Sequence, residues 1–292
     1  MNLDHLLPEA AEWLEVSDEE RKLIIRSEKW IDYRVAAEIM SDWDQLLNYP
    51  NRSRMPCRLL IADSNNGKTR LLRKFLGSHP GDPNIRGDAA FVPVLYTTLN
   101  GPDAKQLCRG LLKGLFEELP RRQTMGDLLE QLLDVLMRVR PKMILLDESN
   151  TIISGSSTRT RECFNTIKHI SNSTGIPIVA AGTQEALNGF RSDEQMDNRF
   201  EPVRLPRWQM DMEFRMLLKM FERLTPLKLP SQLAGKAMAQ QIFNLTDGLI
   251  GEVASLIEKA ATHAIKTKTE AINDEVLSGC GYRPVSTRRL VK

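Results

Sequence analysis

The chain has 292 residues, 40 Lys plus Arg against 38 Asp plus Glu, a net charge of +2, and 41% hydrophobic and 27% charged residues. That balance excludes a disordered chain, a collagen-like chain and a disulfide scaffold, and the length allows one large domain or two smaller ones. The small total hides segregation: residues 1–50 carry 12 acidic and 5 basic side chains, whereas residues 51–125 carry 6 and 13. Such blocks permit a basic surface for nucleic acid or phosphate, although charge blocks alone favour solvated helix faces. Cys57, Cys108, Cys163 and Cys280 include no Cys-x-x-Cys pair, so free thiols are expected and not a zinc site. The acidic first 20 residues lack the pattern of a secretion signal, and no apolar run reaches the roughly 20 residues that span a bilayer; a cytoplasmic protein is expected.

Residues 18–47 have helical spacing with a break near Tyr33, and Asn51 to Pro56 reads as a loop. Arg58 to Ala62 is a short apolar strand, Asp63 to Gly67 a turn, and Thr69 to Phe75 the start of a helix. Phe91 to Thr97 reads as a strand that Pro93 confines to a sheet edge, because proline cannot donate to a ladder. Helices are predicted over Asp103 to Leu119, Leu128 to Arg138 and Arg159 to Ser173; strands over Lys142 to Asp147, Ile176 to Ala181 and Pro202 to Leu205. Continuously apolar strands alternating with helices specify an α/β fold with a parallel sheet covered on both faces. After Trp208 only helices follow, over Met212 to Leu224, Leu233 to Asn244 and Gly251 to Lys266. The expected organisation is an N-terminal helical extension (1–50), an α/β nucleotide-binding core (51–207), a small helical lid (208–281) and a mobile basic tail (282–292).

Ala62-Asp-Ser-Asn-Asn-Gly-Lys-Thr69 follows a strand and opens a helix, and it fits the phosphate-loop pattern G-x-x-x-x-G-K-[ST] except at Ala62. In this reading the loop amides of Asn65 and Asn66 face phosphate oxygens and Gly67 permits the tight turn. Lys68 reaches the β- and γ-phosphates, and Thr69 ligates Mg²⁺. Asp147, at the end of an apolar strand, is placed to hold Mg²⁺ through water; Glu148 is a candidate base for the attacking water. Two roles are open for Thr183 at the end of the next strand: hydrogen bonding to the γ-phosphate or lytic water, or capping the following helix. Arg199 is a candidate arginine finger; the alternative is a surface arginine paired with Asp193 or Asp197, and Arg191 and Arg207 are weaker finger candidates.

In this order the motifs resemble an AAA+ ATPase, and more narrowly the TniB/TnsC family of ATP-dependent regulators of DNA transposition. The resemblance rests on Trp30-Ile-Asp-Tyr33, Arg54-Met-Pro56, Asp63 to Thr69, Ile176 to Thr183, Asn198-Arg-Phe200, Leu205-Pro-Arg-Trp208 and Asp247 to Glu252. It implies an AAA+ core with a five-stranded parallel sheet whose second strand lies at an edge. It also implies ATP-driven assembly of a homo-oligomer, ring or helical filament, on double-stranded DNA. Such an assembly recruits a DDE transposase, is limited by a TniQ-type target-selection protein, and is taken apart by ATP hydrolysis. Trp30 and Tyr33 stand where the adenine could be walled, the alternative being core packing. Where many AAA+ proteins carry a second sensor arginine at the start of a lid helix, this chain has Glu252. The family's DNA-facing region corresponds to Lys105, Arg109 and Lys113, on one helix face by their i, i+4, i+8 spacing, followed by Arg121 and Arg122. Contacts there would be to phosphates and sensitive to salt. A helicase-loader or replication-type AAA+ ATPase, and a nucleotide-gated DNA scaffold with negligible hydrolysis, are the competing readings.

Overall fold

Five strands, β1 (Cys57–Ile61), β2 (Val94–Thr98), β3 (Met143–Asp147), β4 (Ile178–Gly182) and β5 (Phe200–Arg204), pair in parallel in the order β2-β3-β4-β1-β5. They belong to a computed structural model that describes residues 3–52, 54–82, 90–119 and 122–288. Every residue of the central strands β3 and β4 is buried, as their uninterrupted apolar sequences require. β2 and β5 are the edges. Pro93 lies just ahead of β2, because the strand begins at Val94 and Phe91 makes only an isolated bridge to Asp82. The proline inside an edge strand is Pro202 in β5, which pairs with β1 alone and so loses no ladder bond on its open side.

The chain divides into two units, Arg34–Pro206 and the combination of Met1–Tyr33 with Arg207–Lys292. The expected extension over residues 1–50 is therefore split. Its second half, the helix Arg34–Leu47, belongs to the α/β unit, where Trp43 is fully buried and meets Phe75 edge-on at 5.4 Å. The helices Ala104–Gly114, Met125–Val139 and Ser157–Thr174 supply Leu107, Leu111, Leu132, Leu136, Phe164 and Ile167 to the core against Leu59, Ile144, Leu146 and Ala180. Each of these helices buries one stripe and leaves its polar face to water, the amphipathic pattern that periodicity alone predicts.

In the second unit Ile25 and Ile31 join Phe214, Leu218, Ile242, Leu256 and Ile265 in a separate core. An ion network ties its distant ends. Arg21, 1% exposed, donates to Glu270 at 2.6 and 2.8 Å and to Asp18 at 2.7 Å, and Lys268 pairs with Asp18. The segment expected as a mobile tail contains a short helix, Val285–Arg288. Arg288 and the Tyr282 hydroxyl both donate to Glu252, which is 3% exposed. A helix over Asp274–Gly279, capped by Asn273, has no counterpart in the sequence reading because six residues show too little periodicity.

Candidate nucleotide site and basic face

The phosphate loop lies where β1 ends. Asn65 (φ 62°) and Gly67 (φ 90°) take left-handed backbone, which turns the chain sharply into the helix Lys68–Ser78. Ala62, the departure from the motif, has ordinary negative φ and hydrogen-bonds to the Gly182 carbonyl at 3.1 Å, so a glycine is not needed there. Gly67 stands at the N-cap without any side-chain cap, leaving first-turn amides to meet an anion. Asn66 is anchored from below, its Nδ2 donating to the Leu205 and Pro206 carbonyls at 3.0 Å each. Lys68 is 7% exposed, and its Nζ donates to the carbonyls of Ala62 at 3.1 Å and Asp63 at 2.9 Å. Burial lowers its pKa, and the negative charges of Glu148, Asp147 and Asp63 oppose that shift.

Thr69 Oγ1 donates to Asp147 Oδ2 at 2.7 Å, joining the two halves of the constellation directly. A hydroxyl and a carboxylate are hard oxygen donors of the kind Mg²⁺ takes. Asp147 is further held by the Glu148 amide at 2.8 Å and the Tyr96 hydroxyl at 3.1 Å. The sequence places Tyr96 in a strand without marking it as a site residue. Its signal is the alternation along β2, which puts Tyr96 and Thr98 on one face at the strand end; burial raises its pKa, so it stays a donor. Glu148 itself has φ 56°, a left-handed conformation costly for a side chain with a Cβ, and the Thr151 amide and hydroxyl bond its carbonyl at 2.9 and 2.8 Å.

The order β3-β4-β1 sets Thr183, the residue after β4, between the phosphate loop and Asp147. Thr183 is at the N-cap of the helix Gln184–Arg191 but makes no side-chain cap bond, and its Oγ1 is buried without a partner. Thr183 therefore does not cap that helix through its side chain, and its hydroxyl is left as an unsatisfied buried donor.

Arg199 lies at the opposite end of the sheet. It precedes Phe200, which is in register with Cys57, the first residue of β1. Four strand steps, about 13 Å at 3.3 Å each, separate that edge from the loop that follows Ile61. The surface-pair alternative fails as well, since Asp193 bonds Lys168 and Asp197 lies 3.9 Å from Arg191. Arg199 Nη2 donates to Asn172 at 2.7 Å, while its Nε and Nη1 are buried with no partner; burial lowers its pKa. It lines a cavity of about 510 Å³ with Arg52, Arg54 and Arg58. Arg207, the other candidate beyond Arg191, is paired with Asp247.

Trp30 and Tyr33 belong to the helical unit. Their rings stack at 6.3 Å, Tyr33 meets Trp208 at 5.1 Å, and Trp30 Nε1 donates to Asp32 at 2.6 Å. Ile31 between them is core. On the α/β unit, Lys105, Arg109 and Arg122 converge on a cavity of about 590 Å³, and Arg109 Nε is buried without a partner. The acids there are engaged in caps: Asp103 accepts the Lys105 and Gln106 amides, and Asp127 the Thr124 amide. Lys113 is exposed on the same helix but does not line that cavity, and Arg121 lies outside the described residues.

Solved structures share this fold. The ORC2 protein of Aeropyrum pernix in its ADPNP–ADP complexes aligns with a TM-score of 0.64 at 17% identity, covering 88% of this chain and 70% of that one. The Aeropyrum pernix ORC1 protein in complex with DNA gives 0.55 at 14%, covering 89% and 68%. Drosophila ORC bound to DNA gives 0.60 at 11%, covering 96% and 68%. At such identities the likeness is one of fold alone. No curated protein matches the chain. The family model described as bacterial TniB protein matches residues 21–210, more than half of the chain and a span that includes the phosphate loop, Asp147, Glu148, Thr183 and Arg199. The chain therefore belongs to the TniB family.

Proposed function

We propose that this chain is an ATP-hydrolysing regulator of DNA transposition that assembles on duplex target DNA. In this reading it links a TniQ-type target-selection protein to a DDE transposase and disassembles when ATP is hydrolysed. The observation that carries the nucleotide chemistry is the 2.7 Å bond between Thr69 and Asp147, with the buried Lys68 beside it. Lys68 holds the β- and γ-phosphates, and Thr69 and Asp147 hold Mg²⁺. Bound Mg²⁺ neutralises charge on the phosphate oxygens. Glu148 orients water and takes its proton, and the free hydroxyl of Thr183 donates to the γ-phosphate or to that water. Arg199, too far from the phosphate loop of its own chain, reaches the nucleotide of a neighbour, so the active species is an oligomer. The family match favours transposition over the replication-type reading.

The test is electron microscopy and ATP turnover on duplex DNA. ATP-dependent rings or filaments are expected, with Glu148→Gln stopping turnover while ATP-bound assemblies persist. Lys68→Ala is expected to lose nucleotide binding. A monomer indifferent to ATP and DNA overturns the reading; assembly and disassembly both unchanged in Glu148→Gln would leave the scaffold alternative.

A further inference from the structure

The helix Ala104–Gly114 ends in a Schellman motif. The Glu117 amide donates to the Leu112 carbonyl and the Phe116 amide to the Lys113 carbonyl, each at 3.1 Å. The residue that must take left-handed backbone in this motif is usually glycine, because a Cβ is crowded there. Here it is Phe116, with φ 62°. The side chain is also 56% exposed, so the ring does not recover that strain by burial. Glycine would serve the turn better and a polar residue would suit the water better. Two independent features thus set Phe116 apart, its left-handed backbone and its largely exposed ring.

Its surroundings indicate the partner. Phe116 ends the helix that carries Lys105, Arg109 and Lys113. Its immediate acidic neighbour Glu117 is paired with Arg138. We propose that Phe116 is an apolar contact to duplex DNA, pressed against sugar and base edges in a groove while the lysines and arginines hold phosphates. The inference rests on the DNA-binding reading of that basic helix. A phenyl ring offers no hydrogen bond, so the contact tolerates any sequence; insertion at a base step would also kink the duplex.

Phosphate contacts set the salt dependence of binding, whereas an apolar contact leaves it untouched. The experiment measures binding of full-length chain to a fluorescent duplex with a slowly hydrolysed ATP analogue and Mg²⁺, at several salt concentrations. Phe116→Ala and Phe116→Gly are expected to weaken binding by about tenfold, the lower range for loss of an aromatic–nucleic acid contact. The salt slope should stay unchanged, and Phe116→Tyr should remain within twofold of the parent. Lys113→Gln, by contrast, should reduce the slope by about one. Phe116→Gly should melt at or above the parent temperature, since it relieves the left-handed strain. Parent-like affinity in Phe116→Ala, or a lowered melting temperature in Phe116→Gly, overturns this proposal alone. No DNA binding by the parent chain overturns the DNA reading and this proposal with it.

Discussion

Replacing Arg199 by methionine should stabilise the chain while abolishing turnover. The guanidinium has one good bond, to Asn172 at 2.7 Å, and two nitrogens buried without partners. Buried unsatisfied donors cost about 1–3 kcal/mol each. Methionine keeps much of the side chain's apolar packing and removes those donors; the lost bond costs little because Asn172 is exposed and can hydrate. The net gain is about 2 kcal/mol, which for a unit of this size is a rise of about 4–8 °C in melting temperature. Turnover on DNA should fall about a thousandfold or more, the usual worth of an arginine finger. Because Arg199 and the loop that follows β1 lie at opposite ends of the sheet, the loss should be rescued in trans. In an equal mixture of Arg199→Met and Glu148→Gln chains, roughly a quarter of head-to-tail junctions combine an intact Glu148 with a neighbour's Arg199, and activity should return in that proportion. Calorimetry and a phosphate-release assay read both effects. A lowered melting temperature would refute the account of the unpaired nitrogens. Undiminished turnover in Arg199→Met, or no recovery in the mixture, would refute the finger acting between chains.

Three further outcomes follow from the same geometry. Thr183→Val matches the side chain's shape and removes a buried hydroxyl that has no partner, so melting should be unchanged or higher while phosphate release slows by about tenfold to a hundredfold; parent-like turnover would remove Thr183 from the site. Lys105→Gln, Arg109→Gln and Arg122→Gln combined should lower the slope of log affinity against log salt by about three, and an unchanged slope would mean a merely solvated helix face. Arg21→Met leaves Glu270 buried with the Lys228 amide but without its cationic partner, a loss of about 3 kcal/mol at neutral pH readable by chemical denaturation. The same network sets an acid limit. Hydrogen bonds from Lys268 and Arg21 hold Asp18 at about 2. Burial works to raise Glu270, but bonding from Arg21 and the Lys228 amide keeps it below its ordinary value. Both folded pKa values lie below the unfolded ones, so the stabilisation is full above about pH 4.5 and is lost as pH falls towards 2. The parent should lose stability over that window more steeply than Arg21→Met; parallel curves would contradict the linkage.

Much of this protein is legible along the chain because its signals are local. The phosphate loop needs a strand end, a turn with Gly67 and the start of a helix, all within eight residues. The buried strands β3 and β4 announce themselves as apolar runs, and the long amphipathic helices by their period. Asp147 and Glu148 stand out because acids follow an apolar strand at once. What the tertiary structure alone decides are relations between distant segments. Sheet order sets Thr183 between two motifs far from it in sequence and leaves its hydroxyl unpaired. Strand register puts Arg199 at the edge remote from the phosphate loop. The pairing of Arg21 with Glu270 assigns the first residues to the helical unit, and a left-handed Phe116 becomes visible only once the helix end is closed. Short-range sterics and hydrophobic periodicity act on neighbours and can be read from them; hydrogen-bond satisfaction and burial depend on which remote groups the fold brings into reach.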